Sequence, residues 1–279
     1  MVFVFYPIVD TIYMSFLEKG TGEFVGLDNY AEVVSRKEFL DTKRLANFFG
    51  GPSYGALIHN LLWIVIHLPL VVFFGLLLAV FLRDVKGSAI IKSTIFLGIV
   101  IPLIVGGVVL RFIVDKDAGI LNGILRAVGF GASVRDWTIY PDTALITVIL
   151  GSVWIWTGFS MIVYSAGLQG IPVELYEAAK IDGASRWRTF WRITVPMLKP
   201  ATIVVVTMTL LWELKIFDIV FVATLGGPGT ASTVMAYLMY LEAFYTFPPD
   251  YGTASAIATI LTLMTFGFAA YLVSRMAKS

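Results

Sequence analysis

Long apolar runs parted by short charged stretches set the pattern of this chain. Five runs, roughly 57–82, 93–114, 143–168, 200–222 and 253–274, meet or approach the ~20 mostly apolar residues that a spanning helix needs. A sixth, "MVFVFYPIVDTIYMSFL" over about 1–17, is short, lacks the basic flank of a signal peptide and ends without a small-residue cleavage site, so it reads as a span whose beginning is missing. Pro69 and Pro102 fall inside runs, where neighbouring helices can satisfy the freed backbone groups; kinks are expected there. The pattern predicts an all-α integral membrane protein with about six transmembrane helices, forming one domain over 1–279.

Composition agrees with the pattern. Hydrophobic residues make up 58% and charged residues 14% of the chain, against about a quarter charged in soluble domains, and the mean hydropathy is +0.85. The net charge of +1, from 20 basic and 19 acidic residues, gives no sign of a nucleic-acid partner. With no cysteine, disulfides, thiolate metal sites and cysteine nucleophiles are excluded.

Basic residues orient the spans. With both termini cytoplasmic, the inner stretches hold Arg83, Lys86 and Lys92, then Lys180, Arg186, Arg188, Arg192 and Lys199, then Arg275 and Lys278. The outer side keeps Lys19, Arg36, Lys37, Lys43 and Arg44 in a long first loop, Lys116, Arg126 and Arg135 in the second, and none over 223–252. The density of charge in the short inner loop favours this sidedness, and the protein is expected in the cell membrane.

The longest inner loop, 170–199, contains "LYEAAKIDGASRWRTFWRITVPMLKP". Pro172 suits a first helical turn, with Glu174 and Glu177 near the positive end of the dipole. Gly183 suits the stop of that helix, because glycine readily takes the left-handed conformation. A second helix then sets Trp187, Phe190, Trp191 and Val195 on one apolar face, flanked by Arg186, Arg188 and Arg192. The second helix is expected along the membrane, with the first projecting into the cell as a docking element. The plainer reading is an amphipathic connector that caps the bundle.

Glu177-Ala178-Ala179, three residues, Gly183, nine residues, Ile193, one residue and Val195-Pro196 resembles the EAA signature of permease subunits in binding-protein-dependent ABC importers, with Val195 in place of leucine. "FVGLDNY" at Phe24–Tyr30, "LQGIP" at Leu168–Pro172 and "FDIVFVATLGGPG" at Phe217–Gly229 are similar to the maltose-type sugar permease branch. The resemblance covers nearly the whole chain. It implies the type I importer permease fold, with Glu177, Ala178, Ala179, Asp182 and Gly183 forming a cytoplasmic coupling helix that enters a groove on an ATPase subunit. It also implies a homologous second permease, two ATPase subunits carrying ATP with Mg, an extracytoplasmic solute-binding protein and a sugar substrate.

Nothing in the sequence suggests that the chain hydrolyses ATP itself. The nearest approach to a phosphate loop, "GSAIIKST" at Gly87–Thr94, has Ile91 where the second glycine must stand. There is no HExxH, no intramembrane aspartate pair at helical spacing and no serine elbow, so a catalytic site, a bound cofactor and a metal are not expected. A secondary carrier or channel would explain six spans but not a coupling-type loop, and no inverted half-repeat is visible.

Ionisable residues in the apolar runs point to function because burying one is costly. Asp10, His59, Arg111 and Asp218 lie near span ends, where solvation or a local pair accounts for them. His67 is deeper, and with no carboxylate nearby in sequence it reads as structural. Glu213 and Lys215 fall mid-span on different faces, so at least one should line a cavity. Counting back from Ile171-Pro172 and from Gly226-Gly227-Pro228, the substrate-contacting positions implied by the family are Ser152, Ile155, Trp156 and Phe159, then Thr209, Trp212, Glu213 and Ile216. Each set shares one helix face, with aromatic rings for the apolar face of a pyranose and a carboxylate for its hydroxyls. The plainer reading is bundle packing. Glu213 and Ile216 stand where the resemblance to the family's best-known member would place two asparagines, which leaves the identity of the sugar open; an importer permease for a glycerophosphodiester or polyol-like solute is the alternative.

Overall fold

The computed structural model describes residues 2–46 and 53–276, and among these it is helical apart from one isolated antiparallel bridge between Leu17 and Phe24. A first group of helices comprises α1 (Val2–Met14), α2 (Asp28–Ser35), α3 (Thr42–Ala46), α4 (Ala56–Phe81) and α5 (Ser88–Val100). Next come α6 (Leu103–Val114), α7 (Ile120–Ala127), α8 (Pro141–Gln169) and α9 (Val173–Ile181). The rest are α10 (Arg186–Thr189), α11 (Val195–Met197), α12 (Lys199–Glu213), α13 (Asp218–Ala223), α14 (Met235–Phe244) and α15 (Tyr251–Met276), with a π-helical turn over Phe190–Thr194 joining α10 to α11. Lys278, assigned above to the inner face, lies outside the described residues.

Three helices are long and apolar enough to cross a membrane, over Ala56–Phe81, Pro141–Gln169 and Tyr251–Leu272, and two bent pairs raise the number to five. At 13 residues α1 is about 20 Å long, short of a bilayer core of about 30 Å.

Packing runs around α8, which is buried over most of its length. Its partner α4 is apolar all round, yet its buried positions fall in one stripe, through His59, Asn60, Trp63, His67, Val71, Gly75 and Ala79. Val65 and Phe73 face outward. Small residues set the spacing. A Cβ on Gly75 would strike the Ser160 side chain of α8, and one on Gly158 would lie 2.7 Å from the Ile95 backbone oxygen of α5. Such close approach is how membrane helices associate where lipid tails are as apolar as the side chains.

Two of the apolar runs are not continuous helices. The run at 93–114 turns by 105° between α5 and α6 at Ile101–Pro102. Ile101 is extended, as a residue before proline prefers, and Pro102 opens the new helix. The kink expected at Pro102 is therefore a break, while α4 continues through Pro69. The run at 200–222 stops at Glu213, crosses Leu214–Phe217 and restarts as α13, so Glu213 is a helix end rather than mid-helix, and Lys215 lies exposed in the break. The second helix of the inner loop is likewise divided, with a 63° bend into α12.

The segments between the helices are anchored through polar side chains. Buried Asn29, within "FVGLDNY", donates from Nδ2 to the carbonyls of Ser15 and Leu17 at the end of α1. Asn122 donates to the carbonyls of Val114, Asp115 and Arg135 and accepts from Trp137 Nε1, which knits the loop after α6. His59 Nε2 accepts from the Tyr54 backbone N–H, so Nδ1 carries the proton donated to the Thr233 carbonyl at 2.7 Å. The Tyr54 bond is local in sequence, whereas Thr233 is 174 residues away, so His59 is a buried cross-link rather than a solvated span end.

Candidate functional site

The break after α12 is held from α4. Asn60 Nδ2 donates to the carbonyls of Glu213 and Leu214 at 3.3 and 3.2 Å, and its Oδ1 accepts from the Met235 backbone N–H at 2.8 Å. One amide thus caps the Leu214 carbonyl at the helix end, adds a donor to the Glu213 carbonyl that also accepts from Ile216 N–H, and ties in the start of α14. Two turns further along the stripe, His67 Nδ1 lies 2.5 Å from Glu213 Oε1, with both side chains fully buried. The reading of His67 as a histidine without a carboxylate is thereby corrected, because its partner comes from a helix 146 residues away in sequence.

Aromatic rings surround this pair. Trp212 lies 6.1 Å from the His67 ring and 4.4 Å from Trp156, Trp63 lies 6.3 Å from His67, and Phe159 meets Trp156 edge-on at 5.8 Å. The imidazole also comes close to the Ser152 backbone carbonyl, though Nε2 has no partner of hydrogen-bonding geometry. Four further polar atoms here are buried without partners: Glu213 Oε2, Thr209 Oγ1, Trp63 Nε1 and Trp156 Nε1. Buried polar atoms are nearly always satisfied. With His67 Nε2, these atoms put five polar groups without a hydrogen-bond partner on and beside the His67–Glu213 pair.

Of the eight residues singled out in sequence, Ser152, Ile155, Trp156, Thr209, Glu213 and Ile216 are buried, while Phe159 and Trp212 are half-buried. Trp156, Phe159, Trp212 and Glu213 come together around His67. Ser152 joins through its backbone, its hydroxyl being spent on the Ile149 carbonyl. Ile155 turns its Cδ1 toward Gly106 of α6, and Ile216 belongs to the apolar core. Asn60, Trp63 and His67 were missed. Their signal was present: two polar residues seven apart on an otherwise apolar helix share a face.

The 170–199 loop has its own geometry. Glu177, Ala178, Asp182 and Gly183 are exposed, and Ala179 is buried at the base of α9. Gly183 has φ +69°, with Ala184 N–H bonding the Ala179 carbonyl at 2.9 Å and Gly183 N–H the Lys180 carbonyl at 3.2 Å. This is a Schellman stop, which glycine makes without strain. Tyr176 fixes α9 to its neighbours, its hydroxyl 3.2 Å from Thr194 Oγ1 and its ring beneath the Arg83 guanidinium at 4.6 Å. On the next segment Trp187 and Trp191 are exposed and packed on each other and Phe190, an apolar face turned away from the protein.

Residues 48–278 match the family described as "Binding-protein-dependent transport system inner membrane component". The chain belongs to that family. A probable ABC transporter permease of Pyrococcus horikoshii is 49% identical over 98% of this chain and 92% of its own length. The trehalose/maltose transport system permease protein MalF of Thermococcus litoralis is 32% identical over 96% of this chain and 86% of its own. A chain of a bacterial alginate ABC transporter, solved with an alginate-bound periplasmic protein, superposes with a TM-score of 0.79 at 21% identity, covering 97% of this chain and 87% of that one. The fold is that of an ABC importer permease, the protein is a multi-pass membrane component of a transport system, and the carrier and channel readings fall away.

Proposed function

We propose that this chain is one membrane-spanning subunit of an ATP-driven importer and forms half of the translocation path for a sugar or oligosaccharide. The observation that carries the sugar reading is the buried His67–Glu213 pair beside Trp156 and Trp212, with its orphaned polar atoms. A carboxylate accepts hydroxyl hydrogen bonds, indole faces cover the apolar side of a pyranose, and the free indole N–H and threonine hydroxyl complete the set. The sugar-transport names of relatives such as the Thermococcus permease support the same class.

In this reading α4, α8 and α12 contribute the site at the helix break, and α9 carries the signal. Glu177, Ala178, Ala179, Asp182 and Gly183 dock into an ATPase subunit, two of which hold ATP with Mg. A second permease supplies the other half of the path, and an extracytoplasmic binding protein delivers the solute. Both termini lie in the cytoplasm. Solute entry parts the Trp156 and Trp212 faces and gives Glu213 hydroxyl partners in place of part of its contact with His67. The test is uptake by the reconstituted complex, with its binding protein, over a panel of mono- and oligosaccharides, polyols and glycerophosphodiesters. Uptake of a sugar above the other classes is expected, and uptake confined to a non-sugar solute would overturn the assignment.

A further inference from the structure

Two adjoining cavities open beside the coupling loop, of about 360 and 460 Å³, and both are lined by Arg83, Asp84 and Leu168. Lys92 adds a cation to the first, and Lys180 and Arg186 add two to the second. Four cations thus face one carboxylate, and none of these five groups takes part in an ion pair among the described residues. Arg83 is held in place by the Tyr176 ring. A second, independent feature points the same way: Ser165 lines the first cavity, is only 8% exposed, and its Oγ has no hydrogen-bond partner. Arg83 and Lys92 share the first cavity with this unpaired hydroxyl, and the excess of positive charge across both cavities favours an anion.

We propose that these joined cavities bind the phosphate-bearing headgroup of an anionic phospholipid. Ser165 is four residues, about 6 Å, inside the end of α8, and Ala79 lines the same cavity just inside the end of α4, so the floor lies at the edge of the membrane spans. The neighbours of the lining cations are apolar and outward-facing: Phe81 before Arg83, Ile90 before Lys92, and Trp187 after Arg186, with exposures of 67, 76 and 71%. Such a rim suits the interface, where tryptophan rings settle at headgroup depth and basic pockets between helices take headgroups. A bound headgroup phosphate would accept from Arg83, Lys92 and the Ser165 hydroxyl. Through Arg83 on Tyr176 and Lys180 on α9, it would also brace the coupling helix. The site is separate from the one proposed for the solute and does not depend on it.

The test uses the assembled transporter, purified in detergent, with bound lipids read by native mass spectrometry during titration with phosphatidylglycerol or phosphatidylcholine. The wild type should retain phosphatidylglycerol preferentially. Replacing Arg83 and Lys92 together by glutamine should lower that preference about tenfold or more, the scale set by two interfacial cations, and Ser165→Ala should lower it less. A Lys43→Gln/Lys116→Gln control, distant from both cavities in the chain, should leave it unchanged. An unaltered preference in the Arg83/Lys92 variant would overturn the proposal. Displacement of the lipid by millimolar inorganic phosphate would reassign the cavities to a soluble anion. Loss of the ATPase subunits with lipid retained would assign them to subunit docking.

Discussion

Glu213 and His67 depend on each other. Each is fully buried, and removing one partner leaves the other without its side-chain hydrogen bond, a situation that costs more than the pair itself contributes. His67→Ala is therefore expected to lower the amount of folded protein in the membrane, whereas a His67→Ala/Glu213→Ala double variant should recover part of it; equal losses in both would show that the two residues act separately. Gly183 is a different case, because its surroundings are open and only its left-handed φ and its place at the tip of the loop constrain it. A Gly183→Val variant should reach the membrane at levels near wild type yet lose ATPase co-purification and transport, and full co-purification would contradict the coupling role. The residue pairing was not legible in sequence, since nothing local links a histidine in the second apolar run to a glutamate in the fifth. The Gly183 stop was legible, because a helix end is a local event written in a few consecutive residues.

At the scale of elements, the helix breaks carry the site. The apolar run at 200–222 reads as one span because leucine, isoleucine and phenylalanine suit a helix and a buried loop alike, and the turn at Leu214–Phe217 is fixed instead by Asn60 on another helix. Asn60→Leu removes the donors to the Glu213 and Leu214 carbonyls and the acceptor for Met235 N–H, leaving the Leu214 carbonyl and the Met235 N–H open while the Glu213 carbonyl keeps only Ile216 N–H. At about 1 to 3 kcal/mol for an unsatisfied buried group, thermal stability in detergent should fall by several degrees or the protein should fail to accumulate; an unchanged melting temperature would contradict the capping account. The α5–α8 contact makes a parallel case. A Cβ at Gly158 meets backbone atoms of Ile95 and Phe96, which cannot rotate away as a side chain could. Gly158→Val should force the helices apart and lower membrane levels, measured by quantitative blotting. The family motifs acquire local reasons as well: the asparagine of "FVGLDNY" ties α2 to α1, and Gly226 and Gly229 of the "GGPG" stretch take positive φ, with the Gly226 carbonyl accepting from the Thr233 hydroxyl.

For the whole molecule, the composition and the run lengths were enough to predict a helical membrane protein, and the EAA spacing was enough to point to its family, which the match over residues 48–278 bears out. Which faces meet was less accessible. Helix periodicity put Trp156 with Phe159 and Trp212 with Glu213 and gave Ile155 and Ile216 the same standing; in the structure all of these apolar residues share one core cluster, and the ring contacts around His67 involve Trp63, Trp156, Phe159 and Trp212. A half-path also needs its other half, so affinity purification of the tagged chain should bring down a homologous permease and ATPase chains, and recovery of this chain alone from gently solubilised membranes would contradict the assembly.

The central claim is that solute passes between Trp156, Trp212 and Glu213, and the most direct measurement is uptake into proteoliposomes holding the assembled transporter, with the binding protein supplied and protein levels matched. Leaving a buried polar group unsatisfied costs roughly 1 to 3 kcal/mol, so Glu213→Ala, which removes a partner for the solute's hydroxyls, should slow sugar uptake about tenfold. Trp156→Ala should do likewise through the lost ring contact with assembly preserved, and because Glu213→Ala also strands His67, uptake in both is compared per assembled complex. Wild-type uptake rates in both variants would place the path elsewhere and return these rings to packing.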